Sequence, residues 1–146
     1  MEILPDLLEK NLEVVFCGTA VGDQSAQRKA YYAGKGNKFY DVIYSIGLTP
    51  RKLKPEEFQI LLQYGVGLTD LVKEKHGTDN KLKDSDYNIS ELREKIGKFA
   101  PKVLAFNGKN AAKIYFGIDK VDYGMQKQKI GNTAVFVLPS TSGSAR

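Results

Sequence analysis

The residues best suited to chemistry lie at three polar turns, each of which follows an apolar run. The first is Val14-Val15-Phe16-Cys17-Gly18-Thr19-Ala20-Val21-Gly22-Asp23-Gln24-Ser25-Ala26. The glycines would let a backbone turn press against a ligand at the carboxyl end of a strand. Backbone N–H groups there suit an anion or a planar polar base. Asp23 is the carboxylate nearest this turn. It would orient or activate a water, or else cap the helix that follows. The second turn, Asn107-Gly108-Lys109-Asn110-Ala111, ends the run Lys102–Phe106. Asn107 serves either as a polar contact or as a turn residue. The third, Pro139–Arg146, leaves the run Ala134–Leu138. A Gly-x-x-x-Gly turn by itself also serves plain changes of direction, so the first turn gains meaning from the other two.

Alternating elements must bring these turns together. Leu4–Leu12 reads as a lead-in with Leu7, Leu8 and Leu12 turned inward, and Glu13–Cys17 as the first strand. Gly18–Ser25 reads as a loop, and residues 26–36 as a structured loop. Asn37 is placed to cap a helix whose apolar face is Phe39, Val42, Ile43 and Ile46, at helical spacing. Gly47 ends it. A helix starting at Pro55 carries Phe58, Leu61 and Leu62 inward, with Glu56 and Glu57 at its positive end. Val66–Val72 reads as a second strand, and Lys73–Tyr87 as a charged loop that leaves His76 on the surface. A helix capped by Ser90 places Leu92, Ile96 and Phe99 on one face and stops at Pro101. Lys102–Phe106 is a third strand, Ala111–Phe116 a helix closed by Gly117, and Gly131–Leu138 a fourth strand. The expected fold is α/β: one three-layer domain with a mainly parallel four-stranded sheet flanked by helices. The turns leaving strands one, three and four then meet at the sheet edge where such folds bind ligands.

The chain has 146 residues, enough for one domain with its own core. A single cysteine, Cys17, excludes a disulfide framework within the chain and fits a reducing cytoplasm. Its apolar neighbours mark it as a core residue. No apolar run reaches membrane-spanning length, and no signal peptide is read at the N-terminus. Lys and Arg number 22 against 17 Asp and Glu, a net charge of +5 that permits nucleic-acid binding without requiring it.

Several segments, in this order, resemble the mismatch-specific uracil/thymine DNA glycosylases of the uracil-DNA glycosylase superfamily. They are VVFCG with its following Gly22, YYAGKGNKFY, LKPEEF with LLQYGVGLTDLV, AFNGKNA and VLPSTSGSAR. The resemblance spans nearly the whole chain. It implies an enzyme acting on double-stranded DNA in base excision repair, as a monomer in the cytoplasm or on a nucleoid, without metal or cofactor. Such an enzyme flips out uracil or thymine opposite guanine, cleaves its N-glycosidic bond and leaves an abasic site.

Carried over by position, Gly18, Thr19 and Ala20 would contact the base, with Tyr32 stacking on it. Asn37 matches the Asn of the aromatic motif. Asp70 stands near the base, where the family often has Asn or Lys, and Ser140 borders the pocket. Ser142, Gly143, Ser144, Ala145 and Arg146 would enter the minor groove, Arg146 filling the gap left by the flipped nucleotide. The family continues into a further helix past that point, so residues 1–146 are read as one glycosylase-like domain lacking it. Ala20 is the main departure: the family holds its attacking water with an Asn there. Asp23 or Asn107 would then take over the water. The alternatives are a slow or non-catalytic lesion binder and a glycosylase for another deaminated base such as hypoxanthine. A small phosphate- or nucleotide-binding α/β domain is a further rival, but the first turn lacks the Gly-Lys-Ser/Thr ending such a cradle uses.

Overall fold

The structure is a computed structural model that describes residues 4–76 and 88–143, with side chains for all of these except 74–76. Among the described residues five strands form one mixed sheet: β1 (Val14–Val21), β2 (Val66–His76), β3 (Val103–Asn107), β4 (Gly124–Ile130) and β5 (Thr133–Leu138). Their order is β2-β1-β3-β5-β4. The first four in that order run parallel, and β4 pairs antiparallel with β5 at the edge. The helices are α1 (Asp23–Arg28), α2 (Phe39–Ser45), α3 (Ile89–Phe99) and α4 (Lys109–Phe116), with a 3-10 helix over Pro55–Tyr64.

The three layers follow from strands that are apolar on both sides. On one face, Phe16, Leu68 and Ala105 pack against Phe39 and Ile43 of α2 and against Phe58 and Leu61 of the 3-10 helix. On the other, Val15, Cys17, Leu104, Phe106 and Val135 pack against Leu92 and Ile96 of α3 and Ala112 and Tyr115 of α4. Leu7 and Leu12 of the lead-in are buried, and Leu7 bridges Leu68. Gly67 is where that lead-in crosses: a Cβ there would stand 2.7 Å from both the Leu7 carbonyl oxygen and Leu12 Cδ1.

The α/β fold stands, with three corrections of substance. The sheet has five strands, not four. The missing one, β4, reads Gly-Met-Gln-Lys-Gln-Lys-Ile, and most of it is exposed or half-buried at an open edge, so it carries little apolar signal. Its turn was visible: Ile130 pairs with Thr133 across Gly131-Asn132, a two-residue hairpin loop with Gly131 at φ 57°. Next, β1 continues through Gly18 to Val21, so the first glycine lies inside a strand rather than in a loop. Finally, β2 runs to His76, which takes Lys73 out of the expected charged loop and buries it at 3% exposure. The side chain of His76 and residues 77–87 lie outside the described residues.

Smaller differences concern helix ends. Gly22, not Asp23, is the cap residue of α1, which occupies part of the stretch read as loop. Asn88 occupies the cap position of α3, and Ser90 sits inside its first turn. Asn37 precedes α2, and its Oδ1 accepts the Phe39 N–H at 2.9 Å. Only part of the expected face of α2 is buried: Val42 is 39% and Ile46 63% exposed.

Candidate functional site

The site is built on a change of residue type along one face of the sheet. Phe16, Leu68, Ala105 and Phe136 are register partners and make an apolar rung. Side chains repeat on a face every second residue. Two positions further along, β2 presents Asp70, β1 Gly18, β3 Asn107 and β5 Leu138, with Asp70 paired to Gly18 and Asn107 to Leu138. At that level the β1–β3 pairing stops, while β1–β2 continues to Ala20–Val72. The sheet therefore parts beside Gly18, and a cavity of 370 Å³ opens there. Gly18, Ala20, Tyr32, Asp70, Asn107 and Ser140 are among the residues lining it.

Gly18 is small for a geometric reason. A Cβ on it would lie 3.0 Å from Asp70 Oδ1 and 3.7 Å from the Tyr32 hydroxyl. The carboxyl and the phenol thus face the same space over the glycine. Tyr32 has φ 56°, a left-handed conformation costly for a bulky residue. Phe39 backs its ring, with centroids 4.1 Å apart and planes 25° from parallel. The Tyr32 hydroxyl is buried without a hydrogen-bond partner, and burial and then the neighbouring Asp70 push it well above the usual phenol range.

Asp70 is 5% exposed. Burial pushes its carboxyl up to about 6, against the opposing pull of Lys73. Lys73 Nζ stands 3.5 Å from Asp70 Oδ2, near enough for an ion pair, yet that oxygen has no hydrogen-bond partner. Lys73 is held better by Asp6, at 2.9 Å from Oδ1, and donates to the Tyr31 hydroxyl at 2.8 Å. Asp6 also accepts from Thr69 Oγ1 at 2.6 Å and pairs with Lys95 at 2.7 Å. Burial alone would raise the Asp6 carboxyl, but Lys73 and these hydrogen bonds hold it below the ordinary carboxylate range. This buried network behind the cavity had no counterpart in the sequence reading.

Two loops close the cavity rim, and they are tied to each other. The Lys38 N–H donates to the Thr141 carbonyl at 2.9 Å. Gly143 packs on Gly36 so closely that a Cβ at 143 would stand 3.0 Å from the Gly36 carbonyl carbon and oxygen. Gly108, at φ 109°, gives α4 its sharp start and leaves room for Ser140. The turns after β1, β3 and β5 do converge, as the sequence implied, and are joined by the 31–37 segment. Ser25 and Thr141 also line the cavity. Ser25 was overlooked because its role is internal: its Oγ accepts the Ala33 N–H at 2.8 Å.

The candidate catalytic residues separate. Asn107 lines the cavity, but both ends of its amide are engaged by Thr141. Asp23 is exposed in the first turn of α1 and is not among the lining residues, so the structure gives it no place at the cavity wall. Gly18, Thr19, Ala20, Tyr32, Asp70 and Ser140 all border the cavity, as does Ser142. Ser144, Ala145 and Arg146 lie outside the described residues. Cys17 is fully buried in the opposite core, its thiol raised by burial, as suits a packing residue. Among the described residues no group of three or more His, Cys, Asp or Glu side chains is placed to hold a metal ion. No helix among them is long and apolar enough to cross a membrane.

The likeness to known proteins agrees with this architecture. The solution NMR structure of a Methanosarcina acetivorans protein, whose description contains the words uracil DNA glycosylase, superposes with a TM-score of 0.61. The match covers 97% of this chain and 84% of that one at 24% identity, a likeness of fold. The family model for the uracil DNA glycosylase superfamily matches residues 5–146. With a match over nearly its whole length, the chain belongs to the uracil DNA glycosylase superfamily.

Proposed function

We propose that this protein is a monofunctional DNA glycosylase that takes a deaminated or mispaired base, uracil or thymine opposite guanine, into the cavity over Gly18 and hydrolyses its N-glycosidic bond. The observation that carries this reading is the parting of the sheet beside Gly18. It makes a base-sized floor flanked by the Asp70 carboxyl, the Asn107 amide and the Tyr32 ring. Extruding a nucleotide costs a few kcal/mol, least for a mispaired base. Stacking on Tyr32, already backed by Phe39, returns about 1–3 kcal/mol by analogy with single-strand binders. Beyond Cys17, β1 stays paired with β2 but has no β3 partner in the sheet register, so backbone N–H groups on its β3 side can meet charge building on the departing base. Ser142 and Gly143, on the docked rim loop, enter the minor groove of the bound duplex. The protein acts on duplex DNA as a monomer.

One observation favours a second reading. Ala20 borders the cavity with only a methyl group, so nothing at that position holds a water. A slow enzyme, a lesion binder without turnover, or a glycosylase for hypoxanthine would each tolerate that. Single-turnover base release separates these readings. The substrates are labelled duplexes with G·U, G·T, A·U or hypoxanthine, and single-stranded uracil, with abasic sites revealed by alkali. Release from G·U or G·T supports the proposal, and release from hypoxanthine alone replaces its substrate. Tight binding to G·U duplex without release from any substrate leaves a lesion binder.

A further inference from the structure

We propose that Asp70 in its protonated form is the acid of this site, donating its carboxyl proton to the base as it departs. The inference rests on the base-excision reading above and adds to it a residue and a protonation state. Among the described residues lining the cavity, Asp70 is the only carboxyl group. Its Oδ1 and the Tyr32 hydroxyl face the same space over Gly18, where the base must sit. Asp70 Oδ2 is turned to Lys73 Nζ at 3.5 Å, which leaves Oδ1 to the cavity, and among the described residues the buried Tyr32 hydroxyl has no hydrogen-bond partner. Buried polar groups of native proteins are nearly always paired, so an unpaired hydroxyl beside a carboxyl oxygen in one cavity marks a ligand that completes it.

The chemistry dictates which form of Asp70 acts. When the glycosidic bond breaks, its electron pair leaves with the base nitrogen, and negative charge spreads over the base's carbonyl oxygens. An ionised carboxylate beside them repels that charge and opposes departure. A carboxylic acid does the reverse: it hydrogen-bonds the charge and delivers a proton. Water bonds to C1′, and the proton it sheds restores the Asp70 carboxyl. The sum is base–H plus the abasic sugar, with no other reactant.

The surroundings keep a useful share of the acid form near neutrality. Burial pushes the Asp70 carboxyl up to about 6, so about a tenth is protonated at pH 7. The charged groups acting on it are Lys73 of its own strand, Asp6 of the lead-in and Lys95 of α3. The Cys17 thiol of β1 and the Tyr32 phenol lie close by and are themselves raised by burial. Lys73 and Lys95 favour the carboxylate, and Asp6 favours the acid. Lys73 is therefore a positioning residue that sets where on the pH scale Asp70 works.

The test is the pH profile of single-turnover uracil release from G·U duplex between pH 5 and 8.5, for the parent, Asp70→Asn and Lys73→Met. The parent rate is expected to rise about tenfold per unit as pH falls towards 6, then level off, as for a required acid. Asp70→Asn keeps a hydrogen-bond donor but has no proton to give. It should be flat across the range and slower at pH 5.5 by on the order of 100-fold. Lys73→Met should shift the rise to higher pH, a change that loss of folding alone does not produce. Asp70→Asn removes a buried charge, and an undiminished melting temperature shows that it has folded. A rise that persists in Asp70→Asn overturns the inference and leaves base excision standing. No release by the parent at any pH overturns the base-excision reading and this inference with it.

Discussion

Asn107 and Thr141 hold each other through two hydrogen bonds. The Asn107 Nδ2 donates to Thr141 Oγ1 at 2.9 Å, and the Thr141 N–H donates to Asn107 Oδ1 at 2.9 Å. The end of β3 is thereby fastened to the loop leaving β5, and the cavity rim is set by that pair. Asn107→Ala removes both bonds. Each contributes about 1 kcal/mol net, so urea unfolding should report a loss of about 2 kcal/mol. A loss below about 0.5 kcal/mol would mean that the packing of Gly143 on Gly36 holds the loop without Asn107.

Gly18→Ala tests the cavity floor. The backbone at 18 is not in the left-handed region, so a side chain is tolerated by the strand, but its Cβ would stand 3.0 Å from Asp70 Oδ1. Displacing a base by about 1 Å from its reacting position costs on the order of 100-fold in rate. Base release should fall by that order while circular dichroism shows an intact fold. Unchanged release would place the base elsewhere.

Lys73→Ala leaves Asp6 and Asp70 without their shared cation. Breaking a buried ion pair by removing one partner costs roughly 3–5 kcal/mol. The loss should be larger at pH 8 than at pH 5, where Asp70 takes up a proton and no longer needs the ammonium. Denaturation at the two pH values measures the difference. An equal loss at both would show that Lys73 acts on Asp6 alone.

Asp70 itself should make stability fall as pH rises. Its folded carboxyl is raised to about 6, so the folded state binds more protons than the unfolded chain between about pH 4 and 6. The associated stability is complete below about pH 4 and is lost as pH rises through about 6. Asp6, held low, acts oppositely, and its contribution is lost only as pH falls below the ordinary carboxylate range. Asp70→Asn should exceed the parent in stability at pH 8 by up to about 3 kcal/mol, with the gap closing towards pH 4. A variant no more stable at pH 8 would show the carboxylate to be well solvated.

Ala20→Asn tests the water. If the missing amide limits the rate, uracil release should rise by on the order of 100-fold, the scale for one preorganised catalytic group. No gain would mean that another group already holds the water.

Much of this protein was determined by its sequence alone. The apolar runs around Val15, Leu68, Leu104 and Val135 specify strands buried on both faces, because each residue finds a hydrophobic layer whichever way it points. Gly108 and the small residues after Leu138 mark strand ends that open into a site, while Gly18 lies within β1 where its pairing with β3 stops. The edge strand β4 escaped because one side is solvated and its lysines carry no apolar period. Tertiary structure decided what local pattern does not encode. Lys73 has the composition of a loop residue, yet it is buried because Asp6, far away in the chain, is brought beside it. Asp23 stands next to the first turn in sequence but outside the cavity, because α1 begins there and carries its carboxylate to the surface. Asp70 reads as one polar residue in a strand. Its place opposite Gly18, its missing hydrogen-bond partner and its raised carboxyl all come from strand register and burial, which depend on contacts between segments distant in the chain.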